Sequence, residues 1–244
     1  MLKRAKRIYR RAIAGIMLFT AETVLTVLMF LLSLIAFLAI AKYIFLDKKE
    51  DFDQSAFHFL ESFISDNVTD SMWVLSVIGN YQVMIAANIL LIAYFLFIRK
   101  HRWYSIKIPA ISLSSVLLMT LLKNLFNRPR PLIPLLEPAK GLSFPSGHAM
   151  MSATFFGLLI YFVYKRQMPP LIKFTAITLL VLFIFSIGLS RIYLRVHYAS
   201  DVIAGFCIGV IWLTIAINAL NRIELYSKRK INTAVEQGLK TDNS

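Results

Sequence analysis

The sequence predicts an all-α protein, a six-span transmembrane helical bundle with an amphipathic helix in its first outer connection. Three observations predict it. Of 244 residues, 58% are apolar and only 16% are charged, against about 45–50% and about 25% in globular domains. A soluble chain of this size cannot hide so much apolar surface. The apolar residues fall into six runs, and most basic residues gather in the connections on one side of those runs. Disorder, a collagen-like chain and a disulfide scaffold are excluded by the same composition. The single cysteine, Cys207, sits in an apolar run and cannot form an internal bridge.

The runs are Thr23–Leu46, Val83–Ile98, Ile108–Leu122, Ala149–Tyr164, Leu171–Leu189 and Val202–Leu220. A hydrocarbon core of about 30 Å needs about 20 helical residues. The second, third and fourth runs are short by that measure. Flanking residues extend two of them: Trp103 and Tyr104 before the third, Pro145–His148 before the fourth. The first run is too long, and too late in the chain, for a usual cleaved signal peptide. Ala39-Ile-Ala41 resembles a cleavage site but follows no short apolar core, so an uncleaved span is expected. In the connection Asp47–Tyr81, Phe52, Ala56, Phe57, Leu60, Phe63 and Ile64 recur at helical spacing with Asp53, Ser55, Glu61, Ser62 and Asp66 between them. That pattern predicts an amphipathic helix lying on the outer leaflet or over the bundle. Trp73 is placed at the interface, and Gly79-Asn80 punctuates the entry to the second span. The organisation read from this is a basic N-terminal segment (1–22), a six-helix membrane domain (23–220) and a polar tail (221–244) expected to fray after Tyr226.

Charge orients the bundle. The net charge is +14. With six spans, 18 of the 27 Lys and Arg and four of the 13 acids lie on one side. They belong to the N-terminal segment (Lys3 to Arg11), the second connection (Arg99 to Lys107), the fourth (Lys165 to Lys173) and the tail. The other side carries nine basic and nine acidic residues. The positive-inside rule makes the basic side cytoplasmic, with both termini inside an inner cell membrane. Topology and anionic lipid account for the excess charge, so nucleic acid is not an expected partner.

The polar residues that matter converge at the opposite face. Lys123 ends the third span, and Arg128 and Arg130 follow in the loop. Ser146-Gly147-His148 opens the fourth span, Arg191 follows the fifth, and His197 and Asp201 open the sixth. Singly, each has a plain reading as a snorkelling anchor, a helix cap or a turn. Together, several cations, two histidines and one carboxylate at one leaflet point to anion chemistry. Lys123, Arg130 and Arg191 can surround a tetrahedral oxyanion such as phosphate. The amides of Ser146 and Gly147 lie at a helix N-terminus, where phosphate oxygens bind. Asp201 lies four residues after His197. If the sixth helix begins near His197, both face one side, and Asp201 can fix the imidazole tautomer while the other nitrogen attacks. His148 is left as a general acid. No cluster has obvious metal-ligand spacing. A phosphatase that needs neither metal nor cofactor is the expectation.

These residues resemble a known family. Lys123-(six residues)-Arg130-Pro131, Pro145-Ser146-Gly147-His148 and Ser190-Arg191-(five residues)-His197-(three residues)-Asp201 are similar to the three signature motifs of the type 2 phosphatidic acid phosphatase family, which also includes vanadium haloperoxidases. The resemblance covers about Asp47 to Leu220. It implies a helical core with its site at the outer leaflet, His197 as the nucleophile forming a phosphohistidine, Asp201 as its partner and His148 as acid/base. It implies Lys123, Arg130, Ser146, Gly147 and Arg191 as phosphate ligands. Two positions depart from the commonest pattern: Arg195, where small residues are frequent, and Ala199, where proline is. Arg195 is read either as a contact to a second phosphate or as facing headgroups.

The function expected is therefore hydrolysis of a lipid phosphate drawn from the outer leaflet, with the membrane lipid phosphate and the bilayer as partners. Within the family the substrates are undecaprenyl diphosphate, phosphatidylglycerol phosphate, phosphatidic acid or a lipid A phosphate, the diphosphate slightly ahead. The alternatives are a haloperoxidase-type use of the pocket with vanadate, and a catalytically silent lipid-phosphate binding or transport protein. The oligomeric state is not legible.

Overall fold

A computed structural model describes residues 2–136 and 139–241, with side chains described for 21–136 and 139–231. The basic side chains Lys3 to Arg11, and Lys240, lie outside the described residues. Among the described residues the chain is helical, with no strand. Helix α1 (Leu2–Ala41) runs on through a π-helical turn, Lys42–Leu46. Helices α2 (Asp51–Glu61) and α3 (Asp66–Ile78) form the first connection, and α4 (Tyr81–Ala93) ends in a second π-helical turn, Tyr94–Ile98. Then follow α5 (Arg102–Phe126), α6 (Gly147–Lys165), α7 (Pro170–Tyr193) and α8 (Ala199–Thr241). Six of these are long and apolar enough to cross a membrane: Ala21–Leu46, Tyr81–Ile98, Arg102–Phe126, Gly147–Lys165, Pro170–Tyr193 and Ala199–Ile231. The short third run reaches full length because Arg102–Lys107 joins its helix.

α6 is the central element, the least exposed of the six, packed against α4, α5, α7 and α8. Its contact with α8 is the most extensive between any two described elements, and two glycines allow it. A Cβ on Gly205 would stand 2.6 Å from the Ser146 carbonyl oxygen, and one on Gly209 would stand 2.7 Å from Ala153 Cβ. The N-termini of α6 and α8, which carry the two histidine motifs, are thereby drawn together. Above them Phe45 stacks on Phe126 at 4.8 Å and meets Phe144 edge-on at 5.2 Å, sealing α1 and α5 over the loop that leads into α6. At the opposite end Lys107 is buried and donates to Asn221 and Glu224, both at 2.6 Å, tying α5 to α8.

Three expectations change. The first connection holds two helices, because α2 stops at Glu61 and Phe63 and Ile64 lie in the turn before α3. α2 does expose Phe52 and Phe59, but Asp53, read from the pattern as part of its polar face, is wholly buried against the bundle. The tail expected to fray after Tyr226 is helical. α8 continues to Thr241, supported by an i,i+4 pair, Lys228 Nζ to Glu224 Oε1 at 2.6 Å, and by the absence of Gly or Pro over its first turns beyond the membrane.

Candidate active site

The end of α5 aims the first cations. Asn127 takes a left-handed conformation (φ 46°) and its amide donates to the Lys123 carbonyl at 2.9 Å, which stops the helix. The chain then turns back over the bundle. Lys123 Nζ donates to the Leu142 carbonyl at 2.6 Å. Arg130 donates through Nε to Gly141 O at 3.0 Å and through Nη1 to Val196 O at 2.8 Å. Arg128, two residues earlier, points the other way and is buried.

His197 is not on a helix. It lies in the turn between α7 and α8, two residues before α8 begins, with its amide donating to Arg191 O at 3.2 Å. The turn, rather than a helical face, brings it to Asp201: Nδ1 stands 3.5 Å from Asp201 Oδ2. Ser143 Oγ lies 3.3 Å from Nδ1 and donates a short hydrogen bond to the same carboxylate oxygen. On the other side of the ring, Arg130 Nη1 is 3.2 Å from Nε2. A guanidinium only donates, so Nε2 carries the lone pair and the ring proton sits on Nδ1, facing Asp201 and Ser143. Burial lowers the His197 pKa from 6.5 to about 4; Asp201 pulls it up, while Arg130 and Lys123 push it further down. The imidazole is therefore neutral at neutral pH, with its free nitrogen turned to the cations.

His148 sits in the first turn of α6. A Cβ on Gly79 would stand 3.1 Å from its Cδ2, so the glycine before α4 makes room for the ring. His148 lies within Coulombic reach of Arg191, His197, Arg130 and Lys123. Arg191 is buried in the last turn of α7, where its Nη1 donates to Ser76 of α3 and its Nε has no partner among the described residues. A buried N–H without a partner is costly, and here it belongs to a cation near Arg130. An anion of two or three charges would relieve both the orphan donor and the mutual repulsion. Gly147 is packed against Met119, whose Sδ would meet a Cβ at 2.7 Å; the amides of Gly147 and His148 open the α6 first turn with no carbonyl to bond within the helix. Ser146 plays a different part from the one expected. It is wholly buried, its Oγ accepts from Ala149 N at 3.5 Å as the helix cap, and its amide donates to Asp201 O at 3.0 Å. That amide is thus committed to the protein.

Two further layers escape sequence reasoning. Asp201 Oδ1 accepts from Arg128 Nη1 at 2.7 Å, and Arg128 Nη2 donates to Asp53 Oδ2 at 2.8 Å. Asp53 also accepts from Ser200 N and Oγ, at 2.8 and 2.7 Å. Arg128 lies over the Tyr198 ring, 4.0 Å from its centroid. Burial lowers the Arg128 pKa, but Asp201 and Asp53 outweigh it and hold the group above its ordinary value. Arg195 is accounted for as well. It holds a left-handed backbone (φ 53°), which a bulky residue adopts at a cost, and its Nη2 donates to Glu61 at 2.7 Å. Among the residues with described side chains, no group of three or more His, Cys, Asp or Glu could hold a metal ion.

The chain is similar to known proteins. The model of the PAP2 superfamily matches residues 105–224, which contain every motif quoted above. The chain is similar to phosphatidylglycerophosphatase B of Bacillus subtilis (strain 168), 30% identical over 125 residues, which are 50% of this chain and 61% of that protein's length. Among solved structures it resembles a transmembrane PAP2-type phosphatidylglycerolphosphate phosphatase from Bacillus subtilis, with TM-score 0.70 and 24% identity over 81% of this chain and 96% of that one; at that identity the likeness is one of fold. It also resembles LpxE of Aquifex aeolicus, with TM-score 0.55 and 29% identity over 69% of this chain and 98% of that one.

Proposed function

We propose that the chain is a PAP2-type membrane phosphatase that removes phosphate from a lipid headgroup through a phosphohistidine on His197, on the premise that its residues 105–224 match the PAP2 superfamily. The observation that carries this reading is the unprotonated Nε2 of His197, which accepts from Arg130, together with the orphaned Nε of Arg191, which also lies near Arg130. A phosphate held by Lys123, Arg130, Arg191 and the Gly147 and His148 amides presents its phosphorus to Nε2. The Nε2–P bond forms as the P–O bond to the lipid breaks, and the leaving oxygen takes its electron pair and the proton of His148. The imidazole keeps its Nδ1 proton and gains positive charge, which the Asp201 carboxylate opposes. Water then attacks phosphorus, giving a proton to His148, and the Nε2–P bond breaks to release phosphate. Ser146 contributes by capping α6.

The substrate is a lipid phosphate of the membrane in which residues 23–220 are embedded. We place both termini in the cytoplasm and the site at the outer face of an inner cell membrane, because the basic connections lie at the end opposite His197. A glycerolipid phosphomonoester moves ahead of a polyprenyl diphosphate. Arg195, the cation read as a contact for a second phosphate, is engaged by Glu61, and the similar Bacillus protein is named for a glycerolipid phosphate. The test is phosphate release by purified protein in detergent from phosphatidylglycerol phosphate, phosphatidic acid and undecaprenyl diphosphate. Release from none of them overturns the reading.

A further inference from the structure

Asp53 is the only carboxylate of α2 that is buried, and it is buried completely. A charge in such a place needs a partner, and Asp53 has three donors: Arg128 Nη2 at 2.8 Å, Ser200 N at 2.8 Å and Ser200 Oγ at 2.7 Å. The same guanidinium reaches Asp201 Oδ1 through Nη1 at 2.7 Å, and Ser200 Oγ also accepts from Arg128 Nη1 at 2.9 Å. One positive charge is therefore shared by two carboxylates, leaving one negative charge over. Only one of the two carboxylates reaches the imidazole, through Asp201 Oδ2 at 3.5 Å from His197 Nδ1.

We propose that Asp53 is a positioning residue of the reaction, acting through Arg128. By taking up the guanidinium charge, it leaves the charge of Asp201 for the imidazole of His197. The consequence rests on the phosphohistidine reading above. When Nε2 bonds to phosphorus the ring becomes cationic, and the charge that opposes it is the surplus of the Asp53–Arg128–Asp201 group. The other charged groups facing His197 are Lys123 and Arg130 from the end of α5, with His148 from α6 close by. None of these supplies negative charge. Asp53 thus ties the amphipathic helix α2, whose Phe52 and Phe59 are exposed, to the nucleophile 144 positions further along the chain.

Charge counting separates this role from a merely structural one. Asp53→Asn leaves Arg128 and Asp201 balanced, with no surplus for His197. Arg128→Gln leaves two unpaired carboxylates. The double variant Asp53→Asn/Arg128→Gln has one surplus negative charge, as the parent has, and the amide introduced in place of the guanidinium can still donate to Asp201. The measurement is kcat and KM for phosphatidic acid in mixed micelles with the full chain, each variant checked by its melting temperature in detergent. Asp53→Asn is expected to lower kcat about 10–100-fold with KM within about twofold, the scale of coupling within one charged network. The double variant is expected to recover most of that loss. A double variant that is folded but no faster than Asp53→Asn overturns the proposal, as does an Asp53→Asn protein with the parent's kcat. Should Asp53→Asn not fold, the charge-balanced double variant carries the test alone: kcat within about tenfold of the parent supports the proposal, and a value below about a tenth overturns it. A parent protein that releases no phosphate from any lipid overturns the phosphatase reading instead.

Discussion

The guanidinium of Arg130 donates to Nε2 of His197 across 3.2 Å, so the nitrogen that faces the cations holds a lone pair. That relationship, with the pKa of about 4 that burial imposes on His197, sets the expected pH profile. The ring is neutral above about 4 and cationic below. The acid limb of kcat/KM should therefore lie near pH 4 and not near the ordinary histidine value of 6.5. Stability follows the same sign. The unfolded chain binds this proton from 6.5 downward and the folded chain only near 4, so the contribution of His197 is present in full above 6.5 and is lost as pH falls toward 4. Rates and melting temperatures measured from about pH 3.5 to about pH 8 check both. An acid limb centred at the ordinary histidine value would count against the assignment of the free nucleophile.

Arg191 and the neighbouring cations predict metal independence. Lys123, Arg130 and Arg191 all lie within Coulombic reach of His148, and Nε of Arg191 is buried without a partner among the described residues. Activity should survive excess EDTA, and vanadate should inhibit by occupying the phosphate position. Arg191→Lys removes the planar fork but keeps the charge, so the vanadate Ki should rise about 10–100-fold, on the scale of charge-assisted bonds. Full loss with EDTA, restored by magnesium, would remove the histidine mechanism.

How much of this is legible in the sequence follows from the range of the interactions. Span existence is a local property of about 20 consecutive residues, and the six spans agree with the six runs. Lys123, Arg130, His148, Arg191, His197 and Asp201 stand at ends of apolar segments, where an ionisable residue is conspicuous, and the fold brings them together. Asp53 and Ser143 are not legible. Asp53 sits in a stretch that reads as a solvated helix face, and its partner Arg128 is 75 positions away. Ser143 is a serine in a loop until the fold sets it 3.3 Å from His197 Nδ1. The break between α2 and α3 falls at Ser62–Ser65, which has no glycine or proline to mark it. The Ser146 amide reads as a free donor in the sequence because its acceptor, the Asp201 carbonyl, arrives only through the close approach of α6 and α8.

Topology gives a separate prediction. Lys140, in the loop between α5 and α6, and Arg166, between α6 and α7, are both exposed. The charge distribution puts the first outside and the second in the cytoplasm. In a Cys207→Ser background, Lys140→Cys should react with an impermeant thiol reagent in intact cells, and Arg166→Cys only after permeabilisation. The opposite pattern reverses the orientation and moves the site to the cytoplasmic face.

The last prediction separates the two histidines. On the proposed mechanism His197 forms the bond to phosphorus, so His197→Ala should abolish turnover of every substrate. On the same mechanism His148 protonates the leaving oxygen, so its worth should depend on how badly that oxygen needs a proton. A lipid monoester expels an alkoxide, which needs it greatly. A lipid diphosphate expels a phosphate oxygen and an aryl phosphate expels a phenolate, and both leave more readily unprotonated. General acid catalysis contributes about 10²–10⁴-fold. His148→Ala should therefore lose on that scale with phosphatidic acid and much less with a prenyl diphosphate or an aryl phosphate. Both histidines lie in Coulombic reach of Arg130 and Lys123, so removal of either can alter phosphate binding, and that effect is common to the substrates compared within one variant. The measurement is initial rates of both variants on the three substrates at one pH, after each is shown to be folded and inserted. If His148→Ala falls equally on good and poor leaving groups, His148 positions or binds phosphate and does not donate the proton. If His197→Ala keeps substantial turnover on any of them, the nucleophile lies elsewhere.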